Sequence, residues 1–280
     1  MQDREYAYIK LKILALTGVD LGGYKSPQMQ RRLRTFLLRS GQPNWPALFR
    51  AIQNDPQQIG QLKNYLTINV TAFFRDPDKY RRLQEIVLPE LLRGRPKLDV
   101  WSAGCSHGHE PYSLAILLAE VTSPYRPHFI LATDIDRSSL DKAQAGGPYS
   151  SEELEHVPPP LIERYFEQRA SGYGVNKRLQ RKITFRYHDM LAEPFILPLG
   201  GDGYDLIVCR NVVIYFTAEV KCQLYRRFHD ALRPGGILFV GGTEIIPRAA
   251  DMGFEIMEMS FYRRTSGRVS PITPLRRSVV

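Results

Sequence analysis

The chain holds a set of side chains able to grip a small polar ligand: Asn69, Thr71, Arg75, Glu110, Asp134, Asp189, Arg210, Asn211 and Tyr215. Several of them close apolar runs that read as strands, and the others lie in a glycine-bearing turn or in a polar connector before a helix. Polar groups gathered at the carboxyl ends of parallel strands are what a nucleoside pocket requires. Asp134 is the sharpest of them, because it ends the second strand. There, α/β nucleotide binders hold ribose hydroxyls on a carboxylate that can accept from both.

The elements that would position these groups begin with residues 97–115. Residues 97–101 read as an apolar-rich strand, 102–109 as a turn of small residues with Gly104 and Gly108, and Pro111 marks a helix start. A first-turn N–H has no intrahelical partner, so proline is tolerated there. Strand, glycine turn and helix in that order open a doubly wound α/β domain. The two glycines do not satisfy the G-x-G-x-x-G dinucleotide spacing, and no Lys-Ser or Lys-Thr makes a P-loop. The ligand therefore need not carry a pyrophosphate. Further strands are expected at 129–133, 183–187, 204–209 and 237–240. A helix over 217–232 is stopped by Pro234-Gly235-Gly236, and a hairpin at 254–257 and 260–264 closes the domain. Residues 145–187 break the alternation with Pro158-Pro159-Pro160, a short helix carrying Leu161, Ile162, Tyr165 and Phe166, and a turn at Ser171-Gly172. They read as an insertion carrying a small antiparallel ribbon.

No strand pattern precedes residue 97. Tyr6, Ile9, Ile13 and Leu16 recur at helical steps before a Thr17-Gly18 stop, and two further helices are expected near 46–53 and 59–66. Residues 27–40 form another helix, whose apolar stripe of Met29, Leu33, Phe36 and Leu37 leaves Arg31, Arg32, Arg34 and Arg39 on the outer surface. A solvated face normally mixes both signs, so four arginines without an acid suggest docking to something acidic. The organisation expected is a helical module over 1–75, an α/β domain over 76–264 and a basic, mobile tail over 265–280. Asn69, Thr71 and Arg75 then lie at a domain junction, a frequent place for ligand sites.

The net charge of +9 also asks for an acidic partner, without choosing among nucleic acid, membrane and protein. Apolar residues make up 43% and charged residues 24%, which is ordinary usage for a folded globular protein. No long apolar run or basic-then-apolar leader is present, so the cytosol is the expected compartment and no membrane insertion is expected. Cys105, Cys209 and Cys222 make neither a disulfide framework nor a zinc spacing.

Taken together these words resemble the CheR-type chemotaxis receptor methyltransferases. The matching stretches are Thr-Gly-Val-Asp-Leu (17–21) with Tyr24-Lys25 and Arg31-Arg32-Leu33, Asn-Val-Thr-Ala-Phe-Phe-Arg-Asp (69–76), and Val-Trp-Ser-Ala-Gly-Cys-Ser with Glu-Pro-Tyr-Ser (100–113). Ala-Thr-Asp-Ile-Asp (132–136), Cys-Arg-Asn-Val-Val-Ile-Tyr-Phe (209–216) and Leu-Arg-Pro-Gly-Gly (232–236) complete the set. The resemblance implies a class I methyltransferase-like sheet and S-adenosylmethionine as cofactor, with S-adenosylhomocysteine as product. It implies that Asn69, Thr71, Arg75, Glu110, Asp134, Asp189, Met190, Arg210 and Asn211 surround the cofactor, and that Arg75 and Tyr215 lie nearest the transferred methyl group. It further implies that the basic second helix lies along the acidic helical bundle of a receptor; separately, a monomer is expected and no nucleic-acid partner.

Two stretches depart from the family's pattern. His107-Gly108-His109 stands where Thr-Gly-Glu is usual, and Gly242-Thr243-Glu244 where the family has Ser-Glu after the glycine. His-x-His-Glu invites a metal reading, but no further ligand cluster accompanies it in the sequence, and no metal is expected. Among rival readings, a nucleic-acid amino-methyltransferase would carry Pro-Pro and an aromatic after Asn211, where Val212-Val213 stands. A dehydrogenase lacks its glycine spacing, and a non-catalytic docking module is opposed by Arg75, Asn211 and Tyr215.

Overall fold

The structure, a computed structural model, describes residues 1–67, 71–200 and 202–265. Asn69 and the tail from residue 266 onward lie outside them. The first helix, α1 (Asp3–Thr17), buries Tyr6, Ile9 and Ile13 and ends on Gly18 at φ 73°. A left-handed terminal residue of this kind suits glycine. Helices α2 (Ser26–Arg39), α3 (Trp45–Ile52) and α4 (Pro56–Leu66) follow. Leu33, Trp45, Leu48, Phe49, Leu62 and Leu66 join the α1 residues in one apolar core of this helical module.

Beyond the connector, α5 (Pro77–Arg82) passes through one π-helical stretch, Leu83–Val87, into α6 (Leu88–Leu91). The α/β part then runs β1 (Asp99–Ala103), α7 (His109–Val121), β2 (Phe129–Asp134) and α8 (Arg137–Ala145). The insertion holds α9 (Pro159–Tyr165) and a separate hairpin, β3 (Phe166–Arg169) with β4 (Gly172–Val175), in register Phe166↔Val175. A short α10 (Lys177–Gln180) leads to β5 (Ile183–Tyr187), β6 (Tyr204–Cys209), α11 (Ala218–Ala231), β7 (Leu232–Val240), β8 (Phe254–Glu258) and β9 (Phe261–Arg264).

The main sheet has the order β5-β2-β1-β6-β7-β9-β8. The strands from β5 to β7 are mutually parallel, and β9 runs antiparallel between β7 and β8. Strand order reverses between β1 and β6, and a crevice opens at such a switch point. Alternation along β1 sends Val100 into one core layer and Trp101 into the other. Trp101 is fully buried against Phe195, Tyr204 and Phe228, and its indole N–H donates to Thr133 Oγ1 at 3.0 Å.

Three boundaries differ from the sequence expectation. β1 runs later than 97–101, because Ser102 and Ala103, read as turn, pair with Ala132 and Thr133 of β2. Phe166, placed with the short helix, opens β3 instead. α11 stops at Ala231, before the Pro-Gly-Gly run expected to stop it, and β7 begins at Leu232. Leu232 pairs with Tyr204 and Ile237 with Leu206, so Pro234-Gly235-Gly236 is absorbed in a bulge. Proline and glycine are tolerated at such irregularities.

The helical module meets the α/β part through backbone. Lys25 N–H donates to the Tyr215 carbonyl at 2.9 Å, Thr217 N–H donates to the Gly23 carbonyl at 3.0 Å, and Tyr24 forms a bridge with Phe216. Trp101→Ala removes the largest side chain of one core layer, and its unfolding midpoint in urea is expected to correspond to a loss of about 3–5 kcal/mol.

Candidate functional site

Two adjoining cavities lie at the carboxyl ends of the parallel strands, one of about 220 Å³ and one of about 50 Å³. Gly104, Ser106, Asn211 and Val212 line both. The dividing wall is thus the turn after β1 meeting the turn after β6. Gly104 has φ +87°, and a Cβ there would stand 2.6 Å from Val212 Cγ2. Asn211 has φ +59° and carries the second turn through the left-handed region, which asparagine tolerates better than most residues.

The larger cavity gathers Asp134, Asp189, Met190, Asn211 and Tyr215 from the α/β part and Tyr24, Met29 and Arg32 from the helical module. Asp134 accepts from Ser106 N–H at 2.7 Å and Asp136 N–H at 2.9 Å. Burial nevertheless pushes its carboxyl up to about 6 against those two hydrogen bonds. Asp189 accepts from Leu191 N–H at 2.8 Å, which shapes the chain after β5. Burial raises the Tyr215 phenol, with the charges of Arg32 and Arg75 opposing, so Tyr215 stays protonated at neutral pH. Burial also raises Tyr24, and Asp189, Asp134 and Asp20 push it the same way.

The smaller cavity gathers Thr71, Arg75, Glu110 and Arg210. Glu110 accepts from Ser102 Oγ at 2.8 Å. It is only half-buried by exposure, yet its charge sits far from bulk water, and burial lifts its carboxyl to about 7 against the Arg210 charge and the Ser102 hydrogen bond. Arg210 is buried and turns toward the connector, donating to Asp76 Oδ2 at 2.6 Å and to the Arg75 carbonyl at 2.9 Å. Its guanidinium lies 4.7 Å from the Phe239 ring and 5.2 Å from Tyr80. Arg210 therefore holds the connector in place beside the cavity it lines.

The four arginines of α2 do not share one surface. Arg31, Arg34 and Arg39 are exposed, whereas Arg32 is half-buried and lines the larger cavity. Its guanidinium lies 4.8 Å from the Tyr65 ring and donates to the Tyr65 carbonyl, contacts that draw it inward off the expected outer face. Sequence reasoning also missed Tyr24 as a lining residue, since no local pattern tells that a helical module will roof a distant cavity. It missed Glu153 as well. His109 Nε2 lies 2.8 Å from Glu153 Oε1, and the His107, His109 and Glu153 donor atoms fall within 4.8 Å of one another. Burial opposes ionisation of Glu153, but hydrogen bonds from His109 and Ser150 N–H, with Lys142 at 3.2 Å, bring its carboxyl down to about 2. An acceptor-only carboxylate requires the proton on His109 Nε2. With Phe73 and Tyr149 edge-on to the His109 ring, this cluster ties the connector and the insertion to α7.

Comparison with known proteins matches residues 4–67 to the family model described as CheR methyltransferase, all-alpha domain, and residues 69–263 to CheR methyltransferase, SAM binding domain. The chain is 38% identical over 264 residues to the chemotaxis protein methyltransferase of Listeria monocytogenes, covering 94% of this chain and 98% of that protein. It is 34% identical over 258 residues to chemotaxis protein methyltransferase 2 of Pseudomonas aeruginosa, covering 89% of each. Among the described residues no helix is long and apolar enough to cross a membrane.

The raised Glu110 carboxyl has a consequence for stability. Between its ordinary value of 4.5 and about 7 the folded chain binds a proton that the unfolded chain has released. Stability should therefore fall as pH rises through that window and then level off. Glu110→Gln should flatten the fall and, at pH 8, exceed the unsubstituted chain by on the order of 1–3 kcal/mol in urea unfolding.

Proposed function

Since this chain belongs to the CheR methyltransferase family, we propose that it forms methyl esters on glutamate side chains of a chemoreceptor. Its cofactor is S-adenosylmethionine. The observation that carries the reading is the convergence of Asp134, Asn211 and Tyr215 on one cavity roofed by α2. The donor set fits the cofactor. Asp134 suits the ribose diol, Glu110 suits an ammonium group, and Ile135, Met190 and Val212 offer apolar wall for a purine. Thr71 and Asp189 complete the enclosure in this reading.

When bound, the cofactor supplies an electrophilic methyl group on a sulfonium. The receptor glutamate needs no general base, because a carboxylate with a reference pKa of ~4.3 is already ionised at neutral pH. Alignment is what the protein must provide, and holding reactants in line is worth on the order of 7–11 kcal/mol. Arg75 and the protonated Tyr215 orient the incoming carboxylate. Arg32, whose charge reaches Tyr215, approaches the same carboxylate from the helical module. Arg31, Arg34 and Arg39, exposed on the same helix, face the acidic receptor bundle. Exclusion of water by this docking favours a step in which opposite charges cancel.

Calorimetric titration of S-adenosylhomocysteine should show saturable binding, weakened about 10- to 100-fold by Asp134→Ala, as expected for a lost hydrogen bond to a charged group. With receptor and methyl-labelled cofactor, the label should leave the receptor as methanol in mild alkali, and a base-stable label would exclude the ester. Tyr215→Phe and Arg75→Ala should each lower turnover by about a hundredfold. Unchanged turnover would remove them from the site.

A further inference from the structure

Glu244 lines neither cavity. It sits beyond the carboxyl end of β7 and is 4% exposed. Its Oε2 accepts from two backbone N–H groups, Gly241 at 2.5 Å and Asn211 at 3.0 Å. Oε1 is buried with no hydrogen-bond partner among the described residues. Burial pushes the carboxyl up, while those two N–H groups and the charges of Arg210 and Lys221 work the other way. A buried acid with half its acceptor capacity unused is costly, so its surroundings must have a use for the other half.

That use lies at Asn211. Its left-handed backbone departs from what a non-glycine residue favours, and its N–H is held by the Glu244 carboxylate. Gly241 makes room for the arrangement, since a Cβ there would stand 2.6 Å from Glu244 Oε2 and 3.1 Å from the Asn211 nitrogen. Asn211 and Val212 in turn form the wall between the two cavities and close on Gly104. A carboxylate that fixes the Asn211 N–H therefore fixes the β6 turn against the β1 turn.

We propose that Glu244 is a positioning residue for cofactor binding, acting through Asn211 by clamping the β6 turn in the conformation that shapes the cavity. The inference rests on the reading of that cavity as the S-adenosylmethionine site. Both hydrogen bonds end on one oxygen, so the role asks for an acceptor and not for a charge. Glutamine offers a carbonyl oxygen in the same place. Alanine offers nothing and leaves two buried donors unpaired.

The test is calorimetric titration of S-adenosylhomocysteine into the full chain and its Glu244→Gln, Glu244→Ala and Gly241→Ala variants, each held well below its own melting transition. Glu244→Gln should stay within about threefold of the unsubstituted affinity, and Glu244→Ala should lose about tenfold or more while melting cooperatively. Gly241→Ala, whose Cβ presses on the carboxylate, should also weaken binding, and it carries the test if Glu244→Ala does not fold. No binding by the unsubstituted chain would overturn the cofactor reading itself. If that chain binds, native affinity in Glu244→Ala, or in Gly241→Ala where the former fails to fold, overturns the positioning role. So does a Glu244→Gln variant as weak as Glu244→Ala.

Discussion

The site depends on β1 and β6 lying side by side in parallel, with Val100, Trp101 and Ser102 in register with Leu206, Ile207 and Val208. Parallel neighbours cannot be joined by a tight turn, and here their connections leave in opposite directions along the sheet. The ends of the two strands are therefore left facing each other with no helix between them. The turns that follow must then approach closely. They do so where Gly104 and Val212 leave no space for an added methyl group. Gly104, Ser106, Asn211 and Val212 on the cavity walls are hung from this approach, Asp134 from β2 beside β1, and Asp189 and Met190 from β5 one strand farther out.

Charge inside the fold follows from the same crowding. Glu110 and Glu244 are both drawn toward the neutral form by burial, and both feel the Arg210 guanidinium. Arg210 spends its own hydrogen bonds on Asp76 and on the Arg75 carbonyl. One cation thus moderates two acids and anchors the connector. A buried network of this kind is weak evidence for stability, because desolvation offsets most of the attraction. Its value is in fixing geometry at the place where the helical module joins the sheet.

Much of this was legible in the sequence. Helices such as α1 and strands such as β5 announce themselves by period and β6 by its unbroken apolar run, and the strand-end positions of Asp134 and Asn211 place both on the wall of one cavity. The failures have physical causes. Ser102 and Ala103 have the composition of a turn, but a central strand with neighbours on both sides keeps pairing through small residues. Pro234-Gly235-Gly236 is a strong breaker in isolation, yet pairing of Leu232 with Tyr204 makes it a bulge. Arg32, Tyr24 and Glu153 reach their places through tertiary contacts with partners far along the chain, and local period and composition carry no trace of such contacts.

The hydrogen bond from the Lys25 N–H to the Tyr215 carbonyl uses main-chain atoms on both sides. Side chains at either position can change without removing it. The joint between the start of α2 and the turn after β6 is therefore indifferent to sequence drift in the side chains it links. Descendants of this chain can change the exposed arginines of α2 by surface substitution alone and inherit the alignment of the joint unaltered. An insertion or deletion between Gly23 and Lys25 would be another matter, because it would shift the backbone pairing itself.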